Sequence, residues 1–243
     1  MKLKLHLIIG IVFILKVDSG AQSLFRTTLH ADFSFGIYNW KSFAEFSDEY
    51  NKVNEAELEN NLGKCRLWKG YKYGVSFSVG GLYTGLDVFR MTSSASATLK
   101  GDLRRYFDVR AGGFETQIGW NSKKEMIRPY LAVNFGALFS RVEGSLKYPD
   151  GDVSYGGESA LNGAWHSVDF VSGLNGGVQI KILDGLMLHV SGQYRLMRNS
   201  GEFGANPFGR NYTSLFSGNS GPLKSNIGGT TISAGLGFMF NSN

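Results

Sequence analysis

The chain has 243 residues, with 33 glycines, 4 prolines, 14% aromatics and a formal charge of +5. So small an excess of positive charge gives no footprint for nucleic acid, and the single cysteine, Cys65, excludes an internal disulfide. Abundant glycine and aromatics in alternating stretches point to one all-β domain and not to a disordered chain.

Residues 1–21 read as an export signal. Lys2 and Lys4 make a basic start, Leu5 to Leu15 an apolar stretch, and Ser19-Gly20-Ala21 a small-residue cleavage site. Cleavage is expected after Ala21, leaving a domain over 22–243. Losing Lys2, Lys4 and Lys16 with Asp18 lowers the charge from +5 to +3. The apolar stretch is shorter than the ~20 residues that a membrane-spanning helix takes.

Eight strands are expected, at 27–38, 70–80, 82–98, 104–120, 127–142, 166–182, 186–197 and 228–240, because each stretch alternates with period two. The links after the first, fifth and seventh are long. Those at 121–125 and at Leu183-Asp184-Gly185 are turns. Long links at one end and turns at the other suit a transmembrane, antiparallel up-and-down β-barrel, and the short third-to-fourth link near Gly101-Asp102 breaks that trend. Aromatic residues near strand ends read as interfacial girdles: Tyr38, Trp40, Trp68 and Tyr71 at the outer boundary, Trp120 and Phe240 at the inner one.

Inside the first long link, Phe43, Phe46, Tyr50 and Val53 recur at helical spacing among acidic residues. A helix in the first extracellular loop is expected. Its apolar face is either a lid on the barrel rim or a docking surface for an external partner. The loops 143–165 and 198–226 carry Tyr148, Tyr155, Trp165, Phe203, Phe208, Tyr212 and Phe216 among small polar residues. Such aromatics can bind an extracellular protein or a glycan.

One strand face is small and polar (Gly74, Ser76, Ser78; Gly173, Asn175, Gly177; Ser233, Gly235, Gly237) and the other is bulky and apolar. An eight-stranded barrel has little interior room, so the small face belongs inside and the bulky face in lipid. Asp32, Lys72, Arg128, Lys181 and Arg195 fall on the small face. Asp87 and Arg90 have opposite parity, as do Arg110 and Glu115. Bulges near 88–89 and 112–113 would turn these inward. With Asp108 added, the expected lumen charge network is Asp32, Lys72, Asp87, Arg90, Asp108, Arg110, Glu115, Arg128, Lys181 and Arg195, with His30 and His189 also inside. Opposite charges in a narrow lumen pair and plug it, since unpaired buried charges are costly.

His189-Val190-Ser191 pairs an imidazole with a hydroxyl, the logic of a hydrolase, but both side chains share the inward face and no matching acid follows in sequence. No catalytic residues are therefore expected. His6, His30, His166 and His189 share no metal-ligand spacing, so neither a metal nor a cofactor is expected.

The signal segment, the period-two strands and the last strand, 230–240 ending at Phe240, resemble those of small bacterial outer-membrane β-barrels. Arg128-Pro129-Tyr130 and Gly192-Gln193-Tyr194-Arg195 look like strands of the Bacteroidota-type barrel domain. Three further residues follow Phe240, a departure from the terminal aromatic of that family. The resemblance implies residence in the outer membrane of a Gram-negative bacterium, contact with its lipid, and handling by the barrel-assembly machinery. It fixes no activity. A structural or surface-interaction role is the expectation, with a porin-like narrow pore or transporter as alternative and a lipid-modifying enzyme as the remote one.

Overall fold

The computed structural model describes residues 25–123, 126–154, 161–197, 224 and 227–242. The export signal and the loop aromatics Tyr155, Phe203, Phe208, Tyr212 and Phe216 lie outside the described residues.

The elements in chain order are β1 (Phe25–Trp40), α1 (Lys41–Val53), β2 (Leu58–Asn60), β3 (Leu67–Val79), β4 (Leu82–Leu99), β5 (Leu103–Asn121), β6 (Ile127–Lys147), β7 (Val153–Ser154), β8 (Gly163–Leu183), β9 (Leu186–Met197) and β10 (Ile227–Ser242). Eight of the strands form a closed antiparallel up-and-down barrel in the order β1-β3-β4-β5-β6-β8-β9-β10, sealed where β10 pairs with β1 from Phe25↔Ser242 to Trp40↔Ile227. The short β2 and β7 only extend β4 and β6 at one end. The other end is closed by tight turns. Gly80-Gly81 and Gly185 have positive φ there, a backbone conformation that glycine adopts without steric cost.

Side chains alternate in and out along the long strands. The polarity of the two faces, however, inverts part-way up. On the turn-side half of β6, Ile127, Leu131, Val133, Phe135 and Phe139 point out while Arg128 and Asn134 point in. Above Phe139, the outward positions become Arg141 and Glu143, while the inward ones from that level are Leu138, Ser140 and Val142. β4 and β5 invert at the same level. Leu86, Val88, Phe114 and Ile118 are outside below it; Arg90, Asp108 and Arg110 are outside above it, over an interior of Met91, Phe107 and Val109.

The strand lengths explain the switch. β4, β5, β6 and β8 have 18, 19, 21 and 21 residues, whereas crossing a bilayer takes about 9–11. The excess forms a collar above the apolar band. There the barrel behaves as a water-soluble one, polar outside and apolar within.

This inversion overturns the proposed bulges. β4 and β5 pair without a register shift from Leu82↔Trp120 to Leu99↔Leu103. Arg90, Asp108 and Arg110 therefore lie outside the lumen, because outward charges are stable where the wall stands in water.

The collar interior is aromatic, and α1 fills its mouth. Phe43 stacks on Trp40 with ring centroids 4.8 Å apart, and Phe46 meets Phe107 edge-on at 5.3 Å. Ser47 Oγ donates to the Leu62 carbonyl at 2.7 Å, tying the helix to the returning chain. Of the helix face expected to dock a partner, Phe43, Phe46 and Tyr50 are buried in their own barrel (Phe43 is 1% exposed), and Val53 alone is open at 76%. The face is a lid, since an apolar helical stripe is most stable against the nearest apolar surface. Tyr38, Trp40 and Trp68 also turn inward onto this core and are not girdle residues, and Trp165 sits on β8 facing the same core. Tyr71, Trp120 and Phe240 remain on the outer surface.

Candidate functional site

Below the aromatic core lies a buried polar cluster. The His189 Nδ1–H group donates to Asp32 Oδ2 at 2.8 Å, and the Tyr130 hydroxyl meets His189 Nε2 at 2.9 Å. His30 stands between two carboxylates, with Nδ1 3.1 Å from Asp32 Oδ2 and Nε2 3.2 Å from Asp87 Oδ1. Lys72 Nζ lies 3.5 Å from Asp32 and 3.6 Å from Asp87, and it donates to Ser191 Oγ at 3.0 Å. Gln117 and Asn175 continue the network, with Asn175 Nδ2 donating to Gln117 Oε1 at 2.9 Å.

Strand register assembles the cluster. Asp32 is opposite Lys72 on one side and opposite Gly235 on the other, and Gly235 is opposite His189. His30 is opposite Gly74, which is opposite Asp87. A glycine between two polar residues leaves a gap over which their side chains meet. At Gly74 that gap is filled: an added Cβ would lie 2.1 Å from Asp87 Oδ1 and 2.3 Å from His30 Nε2. Gly74→Ala should therefore destabilise the barrel by about 1–3 kcal/mol through overpacking. Gly63→Ala, where an added Cβ meets nothing within 4 Å, should leave stability unchanged. Urea unfolding of the two variants in lipid vesicles checks this, and equal midpoints would show that the cluster has slack.

A second knot sits between the polar cluster and the aromatic core. Arg195 Nε donates to Glu115 Oε1 at 2.6 Å, its guanidinium lies 4.0 Å over the Phe89 ring, and Gln193 also donates to Glu115. Ion pairing, cation–π contact and shielding act together there.

Of the ten charges expected in the lumen, Asp32, Lys72 and Asp87 share the polar cluster, and Glu115 and Arg195 make the second knot. Arg128 is buried near the turn end beside Met239. Lys181 has inward parity but reaches only the rim, where it pairs with Asp184 at 2.6 Å. That ammonium holds the exposed Asp184 carboxyl below its ordinary range. Arg90, Asp108 and Arg110 are outside, as described. His30, His189 and Asn175 lie inside, as their parity predicts. Tyr130, Gln117 and Gln193 also belong to the site but carry no charge signal, and inward parity is the one sign of them in the sequence.

The His189-x-Ser191 pair faces inward as expected, and the acid beside the imidazole is Asp32 from β1. The geometry still lacks a nucleophile pair. His189 Nε2 meets Tyr130 and not Ser191, whose hydroxyl accepts from Lys72. Cys65 is equally unsuited to nucleophilic chemistry. Burial pushes its thiol up to about 12, and a thiol that stays protonated does not attack.

No protein-family model matches the chain, and no curated protein matches it. Among solved structures it is similar to small barrels. Ail, the attachment invasion locus protein of Yersinia pestis, solved with the heparin analogue sucrose octasulfate, is 8% identical, with 89% of this chain and 99% of that one covered and a TM-score of 0.44. Neisserial surface protein A is 12% identical over 88% and 97%, also with a TM-score of 0.44. The outer membrane protein AlkL is 12% identical over 94% of each chain, with a TM-score of 0.37.

Proposed function

We propose that the chain is an integral outer-membrane barrel with a structural or surface-interaction role, neither an enzyme nor an open pore. The carrying observation is the stacking of two seals in one lumen, an ion-paired polar cluster below and an aromatic core capped by α1 above. An eight-stranded barrel has an interior only wide enough for side chains, and here those side chains meet each other.

The apolar outer band supports membrane residence. On β6 it runs from Ile127 to Phe139, about 40 Å of strand and roughly 30 Å along the axis at ordinary barrel tilt. Just above it, Lys69, Thr92, Arg110 and Arg141 occupy one cross-strand row, with Arg90 a step below. Arg110 and Arg141 stand side by side in this row, where like charges repel, and Glu143 pairs with Arg141 at 3.1 Å; the remaining positive charge fits against phosphorylated lipid headgroups of the outer leaflet. In this reading the chain is exported, trimmed after Ala21, inserted by the barrel-assembly machinery, and left with its collar and loops outside for a protein or glycan partner.

Planar-bilayer recording on the purified full-length mature barrel tests the role. The expected result is no stable conductance step from protein that migrates as folded in heat-modifiability gels. A large, steady single-channel conductance would replace this reading with a pore.

A further inference from the structure

We propose that His30, Asp32 and His189 form a buried binding site for a transition-metal dication of the zinc class, a function separate from the surface role above. One ligand atom from each residue lies within 4.8 Å of the others. Both imidazoles aim Nδ1 at the same atom, Asp32 Oδ2, from 3.1 and 2.8 Å, and their ring centroids are 4.5 Å apart. Three donors each about 2.0–2.1 Å from a tetrahedral zinc stand about 3.3 Å from one another. The two distances from Asp32 to the imidazoles are close to that, and no pair of ligand atoms is more than 4.8 Å apart, so an outward movement of Asp32 admits the ion.

The surroundings are those of a metal site. In such sites the second nitrogen of a ligating imidazole is held by a carboxylate or another polar group, which fixes the ring. Here His189 Nε2 lies 2.9 Å from the Tyr130 hydroxyl, and His30 Nε2 lies 3.2 Å from the Asp87 carboxylate without a hydrogen bond to it, so that His189 alone has its second nitrogen held. Asp32 Oδ1 is buried with no hydrogen-bond partner among the described residues, which leaves lone pairs free for a second carboxylate contact.

Charge agrees with the geometry. Asp32 and Asp87 face one permanent cation, Lys72. When an ion takes Asp32, Lys72 retains Asp87 and the Ser191 hydroxyl, 3.0 Å away. Two imidazoles with one carboxylate suit zinc, nickel, copper or iron(II), whereas magnesium and calcium prefer all-oxygen shells. Sequence spacing hides the set because its members come from β1 and β9 and meet across the glycines of β10. The aromatic core blocks the collar end, so the ion enters from the turn end or is captured before the barrel closes.

The test uses the mature barrel without a histidine tag, folded in detergent. Cobalt(II) serves as the spectroscopic probe and zinc as competitor, each supplied both to folded protein and during refolding. The expected result is saturable uptake of about one cobalt per chain, with visible d–d absorption of a four- or five-coordinate ion that zinc abolishes. Asp32→Asn and His189→Gln should remove the absorption. Tyr130→Phe, which only loosens the orientation of His189, should weaken uptake by about 10–100-fold. His166→Gln, on the outer side of β8, should leave it unchanged. Heat-modifiable migration confirms folding, and if Asp32→Asn fails to fold, His30→Gln replaces it. Absence of saturable uptake under both loading conditions, or uptake indifferent to Asp32 and His189, would overturn the proposal and leave the cluster a structural polar network.

Discussion

Glu115→Gln should lower the unfolding free energy of the barrel by about 3–5 kcal/mol, because it leaves a buried guanidinium without its counter-charge. Glu115 and Arg195 side chains are 0% and 3% exposed, with the aromatic core above them and the polar cluster below. Neither water nor another carboxylate can take over the role. Tyr38 already accepts from Arg195 Nη1 at 2.5 Å, but a neutral phenol does not replace an anion. The double variant Glu115→Leu/Arg195→Leu should recover most of the loss, since a buried ion pair contributes little net stability over apolar residues of similar volume. Tryptophan fluorescence during urea unfolding in lipid vesicles reads both. A loss below about 1 kcal/mol for Glu115→Gln would mean that water reaches the guanidinium, and with it that the lumen is open.

The second large effect concerns the outer surface. Val133→Arg, midway along the outward apolar run of β6, should cost about 2–4 kcal/mol, while Phe139→Arg should cost about 0–1 kcal/mol. The difference arises from depth. Phe139 lies opposite Gly112, which is itself opposite Arg90. A new cation there joins a level at which the wall already carries one. Val133 has no such neighbour and would place its charge among acyl chains. The same unfolding assay gives both numbers, and equal costs would remove the assigned depth of the apolar band.

The fold was largely legible because period-two alternation is a local signal. All eight expected strands lie where the barrel strands are, and the inward face named from small residues such as Gly74, Asn175 and Ser233 is the one that lines the lumen. Two kinds of information were hidden. The first is the level at which the surroundings change from lipid to water. Parity alone does not show that Arg90 and Arg110 are outward charges on a collar, and within a wholly lipid-facing wall only bulges would turn them in. Reading the outward positions of β5 in order (Trp120, Ile118, Phe114, then Arg110, Asp108) would have exposed the change. The second is strand register. Nothing near His30 in sequence announces Asp87 or His189, which become its neighbours only through pairings of β1 with β3 and β10. Uncharged members such as Tyr130 and Gln117 are hidden as well, because they carry no charge to set them apart from other inward residues.

The seam between the first and last strands gives the polar cluster a role in folding. Asp32 comes from the first strand, Lys72 and Asp87 follow soon after it, and His189 waits near the end of the chain. Until β10 docks, Asp32 has only its β1 and β3 neighbours, His30 and Lys72, and His189 stands across the unclosed seam from it. Docking joins them in the same movement that completes the backbone ladder. The cluster thus acts as a clasp: a chain zipped in a shifted alignment would strand its charges, so only the correct alignment locks.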